Sequence, residues 1–172
     1  MSLGTDHILV VCDLDPIRLQ YQTRTTSDEE FAEFLGKQSR SLHEAADLLQ
    51  RGEGAGQAVT IAHANPRATL TSSQRQMQAE WLRSHSELLR VTCVATYIVV
   101  PHALRRAVMT AVLWLVSPST EVHACASLEE ASNKAVVRAH RAGLQLPKEL
   151  LGGFPGLAMG KALGRHLRDC QL

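Results

Sequence analysis

The sequence predicts an α/β domain built on a mixed, mostly parallel five-stranded sheet with about four helices. Three short runs rich in β-branched residues, Val59–Ala62, Val91–Val100 and Glu121–Ala126, are each followed by a longer stretch with helical spacing. This alternation is typical of parallel strands joined by crossover helices. With 172 residues, 45% hydrophobic and 20% charged, the chain is long enough to bury a core without a disulfide or metal.

The N-terminal part predicts an antiparallel hairpin at one edge of the sheet. His7–Cys12 is a short apolar run, and Ile17–Gln22 alternates apolar with polar residues, the period of a strand with one solvated face. Between them, Asp13–Pro16 has the composition of a turn, because Asp bonds nearby backbone and Pro fixes φ.

Capping residues mark the first two predicted helices. Ser27–Glu30 forms a capping box that opens the first helix, which is expected to end near Gly52. Thr71 or Ser72 is expected to cap the second helix, with Gln74 three residues after Thr71.

Two further helices follow the longest and the last strand. Pro101 suits the first turn of the third helix, which Pro118 stops. Ser127–Glu130 forms a second capping box, and Gly143 closes the helix that it opens. The third helix is expected to face the sheet through Leu104, Val108, Ala111, Val112 and Leu115, and the fourth through Leu128, Ala131, Ala135 and Ala139.

The composition changes after residue 143. We therefore assign residues 1–143 to the α/β domain and residues 144–172 to a Gly-rich C-terminal tail, with one short amphipathic helix around Leu157–Leu167. This tail is locally basic. It is expected to pack on its own domain or on a sister subunit, with a partner or a membrane surface as the alternative.

Charge and composition narrow the function classes. A formal net charge of +1 and only 4% aromatic residues argue against nucleic-acid binding. No apolar run approaches the roughly 20 residues that span a bilayer, so no integral membrane protein is expected. The four cysteines lack CxxC spacing, so neither a metal site nor a cofactor is predicted. Without a recognisable signal peptide, a cytoplasmic location is expected.

Reactive motifs are absent from the sequence. It contains no nucleophile elbow, Walker loop, dinucleotide glycine pattern or HExxH helix. His63 and His102 lie at strand-to-helix junctions, where α/β folds place ligands, and Cys93 is a candidate for the same sheet edge. Asp13 and Asp15 are interpreted as turn residues. An enzyme is accordingly the third-ranked hypothesis, and no catalytic residue is assigned.

The order of elements resembles the STAS domain, the fold of bacterial anti-sigma-factor antagonists. It is most similar to uncharacterised STAS-like bacterial proteins over residues 7–142. The matching residues are Arg75 and Trp81–Leu82 in the second helix, Val94–Val100, Arg105 or Arg106 at the start of the third helix, and Glu129–Ala131. The resemblance implies a regulatory or scaffolding module that binds protein.

In phosphorylatable STAS domains, a Ser or Thr after the third strand is the switch. The stretch that aligns with it, His63–Gln74, contains Thr69, Thr71, Ser72 and Ser73 but lacks the family's Asp and Gly. The hydroxyls are therefore interpreted first as helix caps and second as a phospho-switch. A phosphate there would meet free N–H groups, and Arg67 and Arg75 would be available to pair with it.

The sequence thus predicts a non-enzymatic, bacterial signalling or scaffolding module that binds another protein. The predicted surface is the loop and helix Asn65–Arg75 together with the start of the Pro101 helix, where Arg105 opposes the helix dipole. A homodimer through the hairpin edge or the tail is also expected. The alternative is a small-ligand or lipid carrier with an internal cavity between the sheet and its apolar helices.

Overall fold

The structure is a computed structural model, and it describes residues 9–14, 16–22, 26–52, 56–64, 70–116 and 120–146. Strands and helices alternate after an N-terminal pair of strands. In chain order the elements are β1 (Leu9–Leu14), β2 (Ile17–Gln22), α1 (Asp28–Gln50), β3 (Ala58–Ala64), α2 (Ser72–Ser84), α3 (Ser86–Thr92), β4 (Cys93–Val99), α4 (Ala103–Val116), β5 (Glu121–Cys125) and α5 (Leu128–Arg141).

The predicted α/β class is confirmed. The strands lie in the spatial order β1-β2-β3-β4-β5. The sheet has five strands, as predicted: β1 pairs antiparallel with β2, and β2 to β5 form a parallel part of four strands. The described residues form five helices rather than about four, since the predicted second helix is divided in two.

One face of the sheet carries the main hydrophobic core, and α5 covers it. The stripe of small residues predicted on this helix is confirmed, since Ala131, Ala135 and Ala139 are fully buried. Small side chains let a single helix lie close to the strands. The strands contribute Ile17, Leu19, Val59, Ile61, Ala95, Tyr97, Val99 and Cys125 to this core.

The N-terminal helices pack together on the other side of the sheet. Gln20 follows the buried Leu19 on β2, and its amide donates to Gln38 Oε1 of α1 at 2.9 Å. Helix α1 packs mainly on α2 and α3, and α3 packs on β4. Trp81 of α2 donates its indole N–H to Ser39 Oγ of α1 at 2.9 Å. The Trp81 of the predicted family pattern therefore holds two helices together.

The predicted second helix breaks at His85. The carbonyl of Trp81 accepts from Ser84 Oγ at 3.1 Å and lies 2.9 Å from His85 Nδ1. The two side-chain contacts compete with helix continuation, whereas the backbone N–H of His85 still makes the ordinary i→i−4 helix bond to the same carbonyl. The chain then forms α3, so the expectation that the strand begins at Val91 is wrong: β4 begins at Cys93, after Thr92 Oγ1 bonds Leu88 O at 2.7 Å.

The predicted helix caps are confirmed with one difference. Ser27 and Glu30 form a complete capping box at α1. At α5, Ser127 Oγ accepts from Glu130 N at 3.1 Å, but Glu130 Oε2 accepts from the N–H of Ala126 rather than from that of Ser127. The second box is therefore half formed, with the carboxylate bound one residue earlier.

Left-handed glycines end two helices where the sequence predicted them. Gly52 follows α1 with φ 74°, and Gly143 follows α5 with φ 75°. Both conformations favour glycine because it has no Cβ. Beyond Gly143, Leu144 and Leu146 pack against the core. The predicted tail helix around Leu157–Leu167 lies outside the described residues.

Candidate functional site

The helices that follow parallel strands all begin at the carboxyl edge of the sheet, where α/β proteins place their binding sites. Four of the six predicted site residues, Thr71, Ser72, Ser73 and Arg75, lie together at the start of α2. Arg105 lies near the start of α4. Arg67 lies outside the described residues. Since α2 packs on α1 and α3 while α4 packs on β5, the predicted site divides into two surfaces.

Thr71 is the N-cap of α2, as predicted. Its Oγ1 accepts from the N–H of Gln74 at 3.1 Å, and Gln74 Oε1 accepts from the N–H of Thr71 at 3.1 Å, which completes a capping box. Thr71 Oγ1 also donates to Asp28 Oδ1 of α1 at 3.3 Å. The hydroxyl therefore ties together the starts of two helices.

Gln74 anchors this junction from the inside. Its side chain is fully buried, and its amide donates to Thr26 O at 2.9 Å, just before α1. Sequence reasoning identified Gln74 as half of a capping box but missed this second role. A local motif carries no signal of a bond to a residue 48 positions away.

Ser72 and Arg75 form a small polar patch beside Thr71. Arg75 Nη2 donates to Ser72 Oγ at 3.1 Å, and Arg75 Nη1 donates to Leu70 O at 2.9 Å. These residues are exposed, as is Ser73. A phosphate on Ser72 would lie beside the guanidinium, whereas one on Thr71 would lie beside the Asp28 carboxylate. The charges thus favour Ser72 over Thr71 for the phospho-switch hypothesis.

Replacing Thr71 by alanine is expected to lower the free energy of unfolding by about 1 kcal/mol, because the N–H of Gln74 loses its acceptor. Ser72→Ala is the matched control: it removes a hydroxyl from the next residue, which donates nothing to the cap, and should change stability by less than about 0.5 kcal/mol. Urea denaturation of both variants measures the difference. Equal losses would show that Thr71 is not the functioning cap.

Helix α4 differs from the sequence expectation in the face that it presents to the sheet. Leu104 and Val108, expected to face the strands, are 69% and 58% exposed. The side chains of Val112 and Leu115, expected on the same face, lie outside the part of the chain that the structure describes. Among the α4 side chains that the structure describes, those of Arg106 and Met109 are half-buried. Arg106 is held inward because its Nη1 donates to Val100 O at 2.9 Å.

The exposed side of α4 forms a continuous apolar stripe. Ala107 and Ala111 are exposed as well, so residues 104, 107, 108 and 111 follow the spacing of one helix face. We refer to these four residues as the α4 stripe. Arg105 is exposed beside it. The apolar periodicity of the stripe is visible in the sequence. Periodicity alone does not show whether such a face packs on the protein's own sheet or is exposed to solvent.

The three residues considered for catalysis do not converge. His63 pairs with Val99 near the carboxyl edge, while Cys93 pairs with Ala58 at the opposite edge, so the expected grouping with Cys93 is wrong. His102 is exposed. Burial lowers the pKa of His63, which keeps its imidazole neutral at neutral pH. Burial likewise raises the pKa of the Cys125 thiol, which disfavours the nucleophilic thiolate.

An open groove of about 290 Å³ lies between α5 and the edge strand β5. Glu121 lies in it, and its carboxylate accepts from Arg138 Nε at 2.7 Å and lies 2.7 Å from His123 Nε2. Hydrogen bonds to these two residues hold the pKa of Glu121 below its usual value. The lining residues are Tyr97, Glu121, Asn133, Lys134, Val137, Arg138 and Arg141.

The charges in this groove are largely compensated. Lys134 Nζ lies 2.7 Å from Glu130 Oε1, and this bond raises the pKa of the ammonium group. Burial, as the main cause, raises the pKa of Tyr97 to about 12, so its phenol remains protonated. The groove therefore presents paired ions, the guanidinium of Arg141 and a neutral phenol. It differs from the enclosed apolar cavity that the carrier hypothesis requires.

Two kinds of feature are absent from the described ranges. No set of three or more His, Cys, Asp or Glu residues there is arranged to hold a metal ion. Among the same residues, no helix combines the length and the apolar character needed to cross a bilayer.

Comparisons of the chain with family models, curated proteins and solved structures found no match. The resemblance to the STAS domain therefore stays a prediction.

Proposed function

We propose that this chain is a non-enzymatic regulatory or scaffolding module that acts by binding protein through the α4 stripe and Arg105. The observation that carries the proposal is the exposure of Leu104 and Val108 on adjacent turns of one helix. Contiguous apolar surface of this kind typically marks a protein-binding site. Arg105 adds a charge at the rim, where ion pairs select partners.

The proposed module is of the STAS-like type, in the bacterial cytoplasm. A five-stranded mixed sheet with an N-terminal hairpin and crossover helices supports this assignment. So do two residues of the family pattern: Trp81 at the α1–α2 interface and Glu130 at the start of α5. The polar patch of Ser72 and Arg75 forms a second contact region in this proposal, separate from α4.

Site-specific photo-cross-linking tests the proposal. A photoreactive amino acid in place of Val108, in the full chain and in its own cells, is expected to give a discrete covalent adduct with a protein. The control places the same amino acid at Glu44, which is exposed on α1. If the partner binds the α4 stripe, only the reactive group at position 108 should give an adduct, because position 44 lies outside the proposed surface.

Binding by the purified protein completes the test. The protein captured from position 108 should bind the wild-type chain, and Val108→Glu should weaken binding about tenfold or more, since a carboxylate would be buried without a partner. The same adducts from both positions, or none from position 108, would contradict the proposal.

A further inference from the structure

A largely buried tyrosine faces the groove between α5 and β5. Tyr97 is only 4% exposed, and its ring stacks on that of His123 with 5.4 Å between the ring centroids. Its Oη makes no hydrogen bond within the described part of the chain, and it is not sealed from solvent either. Since Tyr97 lines the groove, the phenol O–H opens into it. Buried tyrosine hydroxyls are usually hydrogen-bonded, so this one requires a water or a ligand as its partner.

Arg141 supplies an uncompensated positive charge to the same groove. The other ions there form two pairs, Lys134 with Glu130 and Arg138 with Glu121. No carboxylate of the described ranges pairs with Arg141, which lines the groove as Tyr97 does. Burial is the main cause of the raised pKa of Tyr97, and the charge of Arg141 acts on the same phenol in the lowering direction. The field of the guanidinium therefore reaches the hydroxyl.

We propose that this groove binds a small organic anion with a single carboxylate, which the Arg141 guanidinium and the Tyr97 hydroxyl hold. A guanidinium binds a carboxylate through two parallel N–H···O bonds, and a protonated phenol donates to the same group. One uncompensated positive charge matches a monoanion better than a phosphate monoester, which carries about 1.5 to 2 negative charges. None of these residues belongs to α4, so the site goes beyond the proposed function and is independent of it.

The carboxyl end of α5 does not prevent this binding. Arg141 is the last residue of the helix, where the dipole amounts to a negative charge of about half an elementary charge. The full charge of Arg141 is larger, and Arg138 in the same turn is already neutralised by Glu121. The groove therefore remains positive beside Arg141.

The size and walls of the groove define the rest of the ligand. Its volume of about 290 Å³ has room for roughly ten non-hydrogen atoms, at about 30 Å³ for each water-sized group. Val137, which is 49% exposed, gives the groove an apolar wall. Asn133 also lines it, and no hydrogen bond within the described residues holds its amide in place. We therefore expect a monocarboxylate with a short apolar body, bound with a millimolar dissociation constant because few atoms make contact.

Phenylacetate is the probe that tests the site, since it is a monocarboxylate with a compact apolar body. Titrated into the isotope-labelled full chain, it should shift the backbone amide resonances of Tyr97 and of residues 137–141. Arg141→Gln should weaken binding about tenfold, because a charge-assisted bond is lost. Tyr97→Phe should weaken it about fivefold, because one neutral donor is lost. Arg83→Gln, at an exposed position on α2, is the matched control and should bind like the wild type.

Phenylacetamide has the same shape without the charge and should bind at least about tenfold more weakly than phenylacetate. Equal shifts from the acid and the amide would show apolar adsorption only, and would overturn the proposal. Equal weakening by Arg141→Gln and Arg83→Gln would also overturn it, since any surface cation would then attract the probe. So would inorganic phosphate that shifts the same amides at lower concentration than phenylacetate.

Folding and internal cover are tested alongside. Unchanged circular dichroism of each variant shows that lost binding is not unfolding, and Tyr97→Phe removes a hydroxyl that bonds no described residue. A wild-type chain without shifts at the groove, as when residues 147–172 cover it, would overturn the site. None of these results bears on the cross-linking from position 108, so the two proposals succeed or fail separately.

Discussion

Replacing Gly56 by alanine is expected to lower the free energy of unfolding by about 3 kcal/mol. Gly56 lies between α1 and β3, where the chain passes closely over the end of the helix. A Cβ at this position would overlap the carbonyl oxygen of Ala45 and the side chain of Leu49. Leu49 can change rotamer, but the Ala45 carbonyl is fixed in the α1 backbone, so the loop must move away from the helix.

Gly36→Ala is the matched control for this prediction. Gly36 lies in the interior of α1, and the nearest side-chain atom to an added Cβ is Arg40 Nη1 at 4.0 Å. Alanine should therefore stabilise the protein by up to about 1 kcal/mol through its higher helix propensity. Urea denaturation of both variants should give changes of opposite sign. A neutral Gly56→Ala would show that the loop does not approach α1 as closely as described.

Local signals were enough to predict most of the elements. Capping residues and left-handed glycines act within a few residues of where they stand, so Ser27, Thr71, Gly52 and Gly143 mark the ends of helices as the sequence predicted. The caps and the glycine turns depend on the neighbouring backbone, and the rest of the fold does not change them. The alanine stripe of α5 was visible as spacing, but its burial depends on the sheet that it covers.

The features that the sequence did not predict depend on competition or on distant parts of the chain. Val91 and Thr92 are β-branched and continue the apolar run of β4, yet they lie in α3, where the last helical turn includes them. Residue preference favoured the strand, whereas helix hydrogen bonds decided the outcome. The break at His85 depends on two polar side chains that bond one carbonyl, which no periodicity records.

The exposure of the α4 stripe, on which the proposed function depends, could not be predicted from the sequence either. The apolar spacing of Leu104 and Val108 was visible in the sequence, and a face toward the sheet was the expected outcome. The structure instead places Arg106 and Met109 inward, with Arg106 bonded to the carbonyl of Val100. An apolar helix face indicates that other residues pack on it. Whether those residues belong to the same chain follows only from how the rest of the chain packs.

Gln74→Ala is expected to lower the free energy of unfolding by about 3 kcal/mol, since it removes a fully buried side chain and three of its hydrogen bonds. Thr26 O would lose its partner at a buried position, and the N–H of Thr71 would lose its capping acceptor. The loss should exceed that of Thr71→Ala, because the Thr71 hydroxyl is exposed and water can replace it.

Gln76→Ala is the control, because it makes the same chemical change at an exposed position two residues along α2. It should alter stability by less than about 0.5 kcal/mol. Native-state hydrogen exchange adds a spatial test: in Gln74→Ala, the amides at the starts of α1 and α2 should lose protection together, since Gln74 connects them. Loss confined to α2 would show that the bond to Thr26 contributes nothing, and that the two helix starts are positioned independently.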